Sequence, residues 1–188
     1  IIPSLRGKFR SVPEERLLKQ AEYMASQGVK ELILVAQETT VYGTDLYGKK
    51  TLHLLLKKLC QIRGIRWIRV LYCYPEEIYD ELIQVMKEEP KICHYLDLPI
   101  QHASDKILRR MGRRTSKQQL IDIITKLRCE IPDIVLRTSL ITGFPGETEE
   151  DHQELMEFVD EMEFDRLGVF TYSPEEGTPA ETMEGQVP

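Results

Sequence analysis

With 188 residues, 41% of them hydrophobic and 30% charged, the chain is long enough for one domain with a full core. No apolar run approaches the roughly 20 residues that a membrane-spanning helix needs. The net charge of −6 is uneven: residues 144–188 hold fourteen acids and one base, Arg166, while residues 1–143 hold seventeen acids and twenty-four bases. That balance argues against a generic nucleic-acid binder but leaves local basic clusters.

The chain opens Ile1-Ile2-Pro3, with neither a methionine nor a signal-like segment, and reads as part of a longer protein. Residues 1–10 are a basic loop carrying Arg6, Lys8 and Arg10. Ser11 with Glu14 predicts a capping box, with Pro13 in the first turn. Leu17, Leu18, Ala21, Met24 and Ala25 then mark one helical face, which Gly28 ends. Leu32 to Ala36 is a continuous apolar run, expected as a buried strand, with Gln37-Glu38-Thr39-Thr40 at its C-terminal end. A loop with Gly43 and Gly48 leads to a helix from Thr51 to about Ile62, with Leu52, Leu55, Leu56 and Leu59 inward.

Residues 66–73 read as the next strand. Pro75 can open a third helix that stops before Pro90. The strand at 94–100 ends in Gln101-His102. Ser104 is expected to cap a short helix, and Thr115 or Ser116 a longer one. The strand at 134–142 runs into Gly143-Phe144-Pro145-Gly146, a sharp turn, and Thr148 with Asp151 caps a helix at 149–162. A last strand at 165–172 precedes a Glu-rich tail.

Five strands alternating with helices predict an α/β fold with a parallel sheet. In such folds ligands bind at the C-terminal strand ends, where Gln37, Glu38, Gln101, His102 and Gly143 fall. The period of two in the strand at 134–142 puts Arg137, Ser139 and Ile141 on one face of a strand that should be buried on both. A buried arginine there needs a carboxylate or a ligand. Asp97 lies on the face of Gln101 and is the predicted partner of Arg137 in an interior ion pair. Cys60, Cys73, Cys93 and Cys129 are spaced too widely for a short metal-binding pair and read as reduced core residues of a cytoplasmic protein. With His53, His94, His102 and His152 equally scattered, the chain presents no metal site of its own.

Three segments resemble one family. Ile1-Ile2-Pro3-Ser4-Leu5-Arg6-Gly7-Lys8-Phe9-Arg10-Ser11 is similar to the stretch that follows the cysteine motif of radical S-adenosylmethionine methylthiotransferases. Pro99-Ile100-Gln101-His102-Ala103-Ser104-Asp105, with Met111 and Arg113, resembles their fourth-strand motif. Gly143-Phe144-Pro145-Gly146-Glu147-Thr148 resembles their fifth-strand turn. Ala36-Gln37-Glu38-Thr39-Thr40-Val41-Tyr42-Gly43 and Tyr172-Ser173-Pro174-Glu175-Glu176-Gly177-Thr178 look like the branch that methylthiolates an aspartate of a small-subunit ribosomal protein. The branch that acts on a modified adenosine of transfer RNA usually has asparagines in the first of these motifs, and an aspartate where Ser139 stands.

The resemblance implies a partial (β/α)6 TIM-like barrel, with residues 1–188 as its core and further domains on either side. It implies S-adenosylmethionine and a 4Fe-4S cluster as cofactors, an electron donor that reduces the cluster, and no membrane. The first barrel strand and the cysteine loop are expected upstream of Ile1, so the chain should not hold the cluster itself. By position, Gln37 and Glu38 would meet the methionine amino group, Arg113 its carboxylate and Gln101 the ribose or methionine end. Ser139 would meet the ribose, and Ile141 to Gly143 would meet the adenine through backbone groups. This reading requires Gln37, Gln101, Ser139 and Gly143 to line a common hollow. The alternatives are a transfer-RNA methylthiotransferase, with the basic loop 6–10 and Arg109, Arg110, Arg113 and Arg114 serving nucleic acid, and a barrel without a cluster that only binds or scaffolds.

Overall fold

A computed structural model describes Leu5 and residues 7–187. The basic loop expected at 1–10 therefore lies partly outside the described residues. Five strands form one sheet in the order β1 to β5: β1 Glu31–Leu34, β2 Trp67–Val70, β3 Ile92–Asp97, β4 Val135–Thr142 and β5 Arg166–Thr171. Every pairing is parallel. The helices are α1 Glu14–Ser26, α2 Thr44–Tyr47, α3 Leu52–Cys60, α4 Asp80–Glu88, α5 Asp105–Arg110, α6 Lys117–Glu130 and α7 Glu149–Met162. Each crossover between neighbouring strands thus contains helix, as a parallel pair requires. All five expected strands exist.

The strand period of two divides the sheet into unlike faces. Leu32, Ile68, Val70, Leu96, Leu136 and Leu140 are buried with the apolar sides of the helices, among them Leu56, Leu82, Met86, Leu120, Ile124 and Phe158. Burying each such side chain contributes about 1.5–3 kcal/mol. The opposite, inner face carries Glu31, Arg69, Tyr95, Arg137, Ser139 and Ile141, none of them fully buried. The expectation that β4 is buried on both faces is therefore corrected: its inner face looks into a partial barrel. The run at 32–36 is corrected too. Leu32 alone is buried there, while Ile33 and Val35 are exposed, because β1 is an edge strand pairing only with β2. At the other edge, Leu167, Val169 and Phe170 of β5 are exposed.

Two of the four expected helix caps form. Ser116 and Thr148 form capping boxes with Gln119 and Asp151. Ser11 does not cap α1, whose N-cap is Pro13 without a side-chain bond. The Ser11 hydroxyl instead accepts from Gly43 N, and Ser11 N donates to Asp45, so it fastens a loop 32 residues away. Ser104 stands at the N-cap of α5 without capping it; its hydroxyl donates to Asp151. Pro75 opens a 3-10 turn, Pro75–Glu77, before α4 begins. Of the cysteines, Cys60 and Cys73 are buried as expected, but Cys129 is exposed.

Candidate functional site

The C-terminal strand ends are laced together by backbone. Past β1, Thr39 N donates to Tyr72 O at 2.9 Å. This places the Glu38 carboxylate where it accepts from Thr40 N at 2.8 Å, from the Thr40 hydroxyl, and from Tyr74 N at 2.8 Å. Burial pushes Glu38 above the usual carboxylate range in spite of these donors, and Glu77 adds to the push. Among the described residues no cation pairs with it.

Arg113 stands over the other part of the same tyrosine. Its guanidinium lies 4.7 Å from the Tyr74 ring centroid and donates from Nη2 to Pro99 O at 2.7 Å. Stacking and one carbonyl orient the fork but leave most of its donors open. Among the described residues it too has no ionic partner. Tyr74 therefore touches both charges, its N–H on Glu38 and its ring under Arg113. Both residues line one hollow of about 800 Å³, together with Gln101, Ile141, Phe144 and Met183.

Gln101 adopts φ 73°, a left-handed conformation that costs a non-glycine residue about 1–3 kcal/mol. Its N–H donates to Ser139 O at 3.0 Å, and its carbonyl accepts from Ile141 N at 2.8 Å. Tyr72, at the end of β2, is also left-handed, with φ 57°, and its N–H reaches the Asp97 carboxylate at 3.3 Å. Strained residues thus end two adjacent strands beside the hollow.

The turn after β4 is held by buried charge. The Glu147 carboxylate accepts from Phe144 N and from His152 Nδ1, each at 3.0 Å. Buried His102 approaches it with Nε2 at 3.7 Å. His102 Nδ1 accepts from Ser104 N, so its proton sits on Nε2, which has no hydrogen-bond partner. Asp151 takes the Ser104 hydroxyl at 2.7 Å and Lys106 Nζ at 2.6 Å. Although burial opposes it, these donors and Thr148 hold Asp151 well below the usual carboxylate range.

The tail forms another wall. Gly146 N donates to Gly185 O at 2.7 Å, while Arg110 donates to Pro145 O and Glu184 O, each at 2.8 Å. Thr178, Pro179, Ala180 and Met183 line the hollow from this side.

Of the residues marked in the sequence, Glu38, Gln101, Arg113 and Ile141 share the hollow. Gln37 is exposed and lies outside it. Ser139 sits lower on the inner wall, joined to Gln101 through its carbonyl, and Gly143 borders a neighbouring recess with Thr148 and His152. Of Gln37, Gln101, Ser139 and Gly143, expected to line one hollow, Gln101 alone does so; that requirement is not met, and the common hollow is built from Glu38, Gln101, Arg113 and Ile141 instead. Tyr74, Glu147 and the tail were not foreseen; Tyr74 immediately precedes Pro75 at a strand end, which is the local signal that could have found it. The predicted Asp97–Arg137 pair is present at 2.5 Å.

An iron–sulfur cluster does not fit these residues: among those described, no group of three histidine, cysteine or acidic side chains could hold a metal.

The sequence model of the Radical SAM superfamily matches residues 1–159. A ribosomal protein uS12 methylthiotransferase RimO of Lachnoclostridium phytofermentans is 70% identical over all of this chain and 42% of its own length. One of Clostridium botulinum strain Eklund 17B is 59% identical over the same shares. The chain thus spans less than half the length of these curated relatives. Among solved structures, the radical S-adenosylmethionine methyltransferase TsrM from Kitasatospora setae, with cobalamin and a [4Fe-4S] cluster bound, has a TM-score of 0.66 at 15% identity, over 88% of this chain and 31% of that one. Streptococcus suis SuiB bound to S-adenosylmethionine has a TM-score of 0.61 at 15% identity, over 96% of this chain and 37% of that one.

Proposed function

The chain belongs to the Radical SAM superfamily, and from that premise we propose that it is the central barrel of a methylthiotransferase acting on an aspartate of ribosomal protein uS12. The observation that carries the cofactor half of this reading is the pair of unneutralised charges around Tyr74. A part-buried carboxylate without a cation and an oriented guanidinium without an anion line one hollow, which suits the zwitterion of an amino acid. S-adenosylmethionine ends in such a zwitterion and, reduced at an iron–sulfur cluster, supplies a carbon-centred radical able to take hydrogen from an unactivated carbon.

In this reading Glu38 accepts from the ammonium and Arg113 donates to the carboxylate. Gln101, held left-handed between Ser139 and Ile141, offers its side chain to the ligand's middle. Ser139 takes the ribose, while the backbone of Ile141 to Gly143 flanks the adenine. Gln37, exposed, flanks the amino end rather than contacting it. The four cysteines take no part. Cluster ligands, the first barrel strand and flanking domains belong to a longer protein, in keeping with the 42% of the relatives' length that this chain covers. Alone, the chain binds without turnover. We place the longer protein in the cytoplasm beside the ribosome, served by an electron donor and without direct nucleic-acid binding by this barrel. The support for a uS12 substrate is that relatives at 59–70% identity are uS12 methylthiotransferases.

Calorimetry of this chain with S-adenosylmethionine tests the site. Glu38→Gln and Arg113→Ala should each weaken binding by about 1.5–3 kcal/mol, the worth of a hydrogen bond to a charged group. 5′-Methylthioadenosine, which lacks the zwitterion, should bind more weakly than S-adenosylmethionine; equal affinity would sink the assignment. For the substrate, mass spectrometry of uS12 and of transfer RNA from a deletion strain should show the modification lost from uS12 alone.

A further inference from the structure

Below Ser139, the inner wall changes character. Arg137 of β4 and Arg166 of β5 are register partners, so two guanidinium-bearing residues stand side by side on adjacent strands. Like charges directly opposite each other weaken a sheet. One carboxylate, Asp97, serves this pair, and it is bonded to Arg137 Nη1. Arg166 donates only to the backbone carbonyl of Asp165, at 3.1 Å, and among the described residues has no ionic partner. Lower on the wall, Arg69 is matched by Glu31 at 2.8 Å. The inner wall therefore carries three arginines against two carboxylates, and the surplus falls at Arg166.

The second observation is Gly168. It lies opposite Ser139 in the register, one inner-face step from Arg166. Glycine inside a strand is unfavourable by roughly 0.5–1 kcal/mol relative to alanine. Here no left-handed backbone calls for it, and an added Cβ would meet nothing closer than Phe170 at 3.5 Å and Arg137 at 3.8 Å. Neither conformation nor crowding explains the residue. Its bare backbone faces the exposed Phe170 ring and the Arg137 guanidinium, both within van der Waals reach of where a Cβ would stand. A glycine in a strand commonly marks where something else approaches the backbone.

We propose that Arg166, with the free donors of Arg137 and the bare backbone at Gly168, forms a carboxylate-binding shelf that receives an acidic side chain of the substrate. The proposal deepens the reading of a protein substrate and rests on it for the substrate's class. The surplus guanidinium supplies charge and its planar fork supplies geometry. No bond is made or broken by the shelf; Arg166 is a specificity-determining residue.

The probe is a blocked pentapeptide with a central aspartate among alanines, compared with its asparagine counterpart. Both are titrated at low salt into this chain saturated with S-adenosylmethionine. The wild type should prefer the aspartate peptide by about tenfold, or about 1.4 kcal/mol. Arg166→Gln should abolish the preference, with a circular-dichroism melt no lower than that of the wild type, since the residue is exposed, pairs with no acid and faces Arg137. Gly168→Val, which presses a branched side chain against Phe170 and the Arg137 guanidinium, should weaken aspartate-peptide binding by about tenfold. No preference in the wild type, or a preference that survives Arg166→Gln, would overturn the shelf. So would adenosine monophosphate binding at Arg166 more tightly than the peptide, which would assign the site to nucleic-acid phosphate. Binding of S-adenosylmethionine without aspartate preference condemns the shelf alone; failure to bind it condemns the parent reading.

Discussion

Glu38 is a carboxylate kept from water before its partner arrives. Burial raises its pKa above 4.5, so the charged form lacks compensation in the unliganded chain. An arriving ammonium should reverse this: the titration midpoint of Glu38, followed by carboxyl-carbon NMR, is expected to fall when S-adenosylmethionine is added. His102 has the opposite sign. Burial lowers its pKa below 6.5, so the folded chain binds fewer protons there than the unfolded one. Glu147, Asp151 and Glu154 oppose that shift without cancelling it. Its contribution to stability is present above pH 6.5 and is lost as the pH falls below it. His102→Asn, whose carbonyl can still accept from Ser104 N, should flatten this loss in denaturant titrations at pH 7.5 and 5.5. Such residues were only partly legible. Asp97 and Arg137 could be paired in advance because period two and strand adjacency suffice. The partner of Ser104 could not, because Asp151 lies 47 residues away and only the folded turn brings it near.

Elements were legible where their signals are local. Ser116 with Gln119 and Thr148 with Asp151 cap helices as their spacing suggests. Ser11 carries the same spacing and fails, because Gly43 N competes for its hydroxyl. Exposure of β1 and β5 was not legible, since nothing in an apolar run says whether a neighbouring strand lies on both sides. The turn after β4 is legible as glycine-rich, but its reason is not. Gly146 adopts φ 87°, and an added Cβ would meet Arg110 Nε at 2.7 Å. Gly146→Ala should therefore move Arg110 and strain the backbone, lowering stability by at least about 1 kcal/mol. A thermal melt checks this, with Gly143→Ala, which meets no atom within 4 Å, separating the backbone strain from the clash.

At the scale of the whole chain, consecutive strands lie side by side in an all-parallel sheet, and this simple order is why strand count and site edge could be read from the sequence. A ligand that binds the folded form alone stabilises it by about 2.7 kcal/mol at one hundred times its dissociation constant. For a chain of this size that corresponds to roughly 5–10 °C. A thermal shift of this order with S-adenosylmethionine, absent in Arg113→Ala, is expected by scanning fluorimetry. The closing wall at 178–186 escaped the sequence because backbone hydrogen bonds and scattered small residues hold it, without an apolar period. Anyone trimming this chain to its sheet and helices, by cutting after Thr171, would keep the five described strands and the buried apolar core. The same cut would leave the hollow roofless, so a truncate that folds normally yet ignores its cofactor would testify to the missing residues rather than against the barrel.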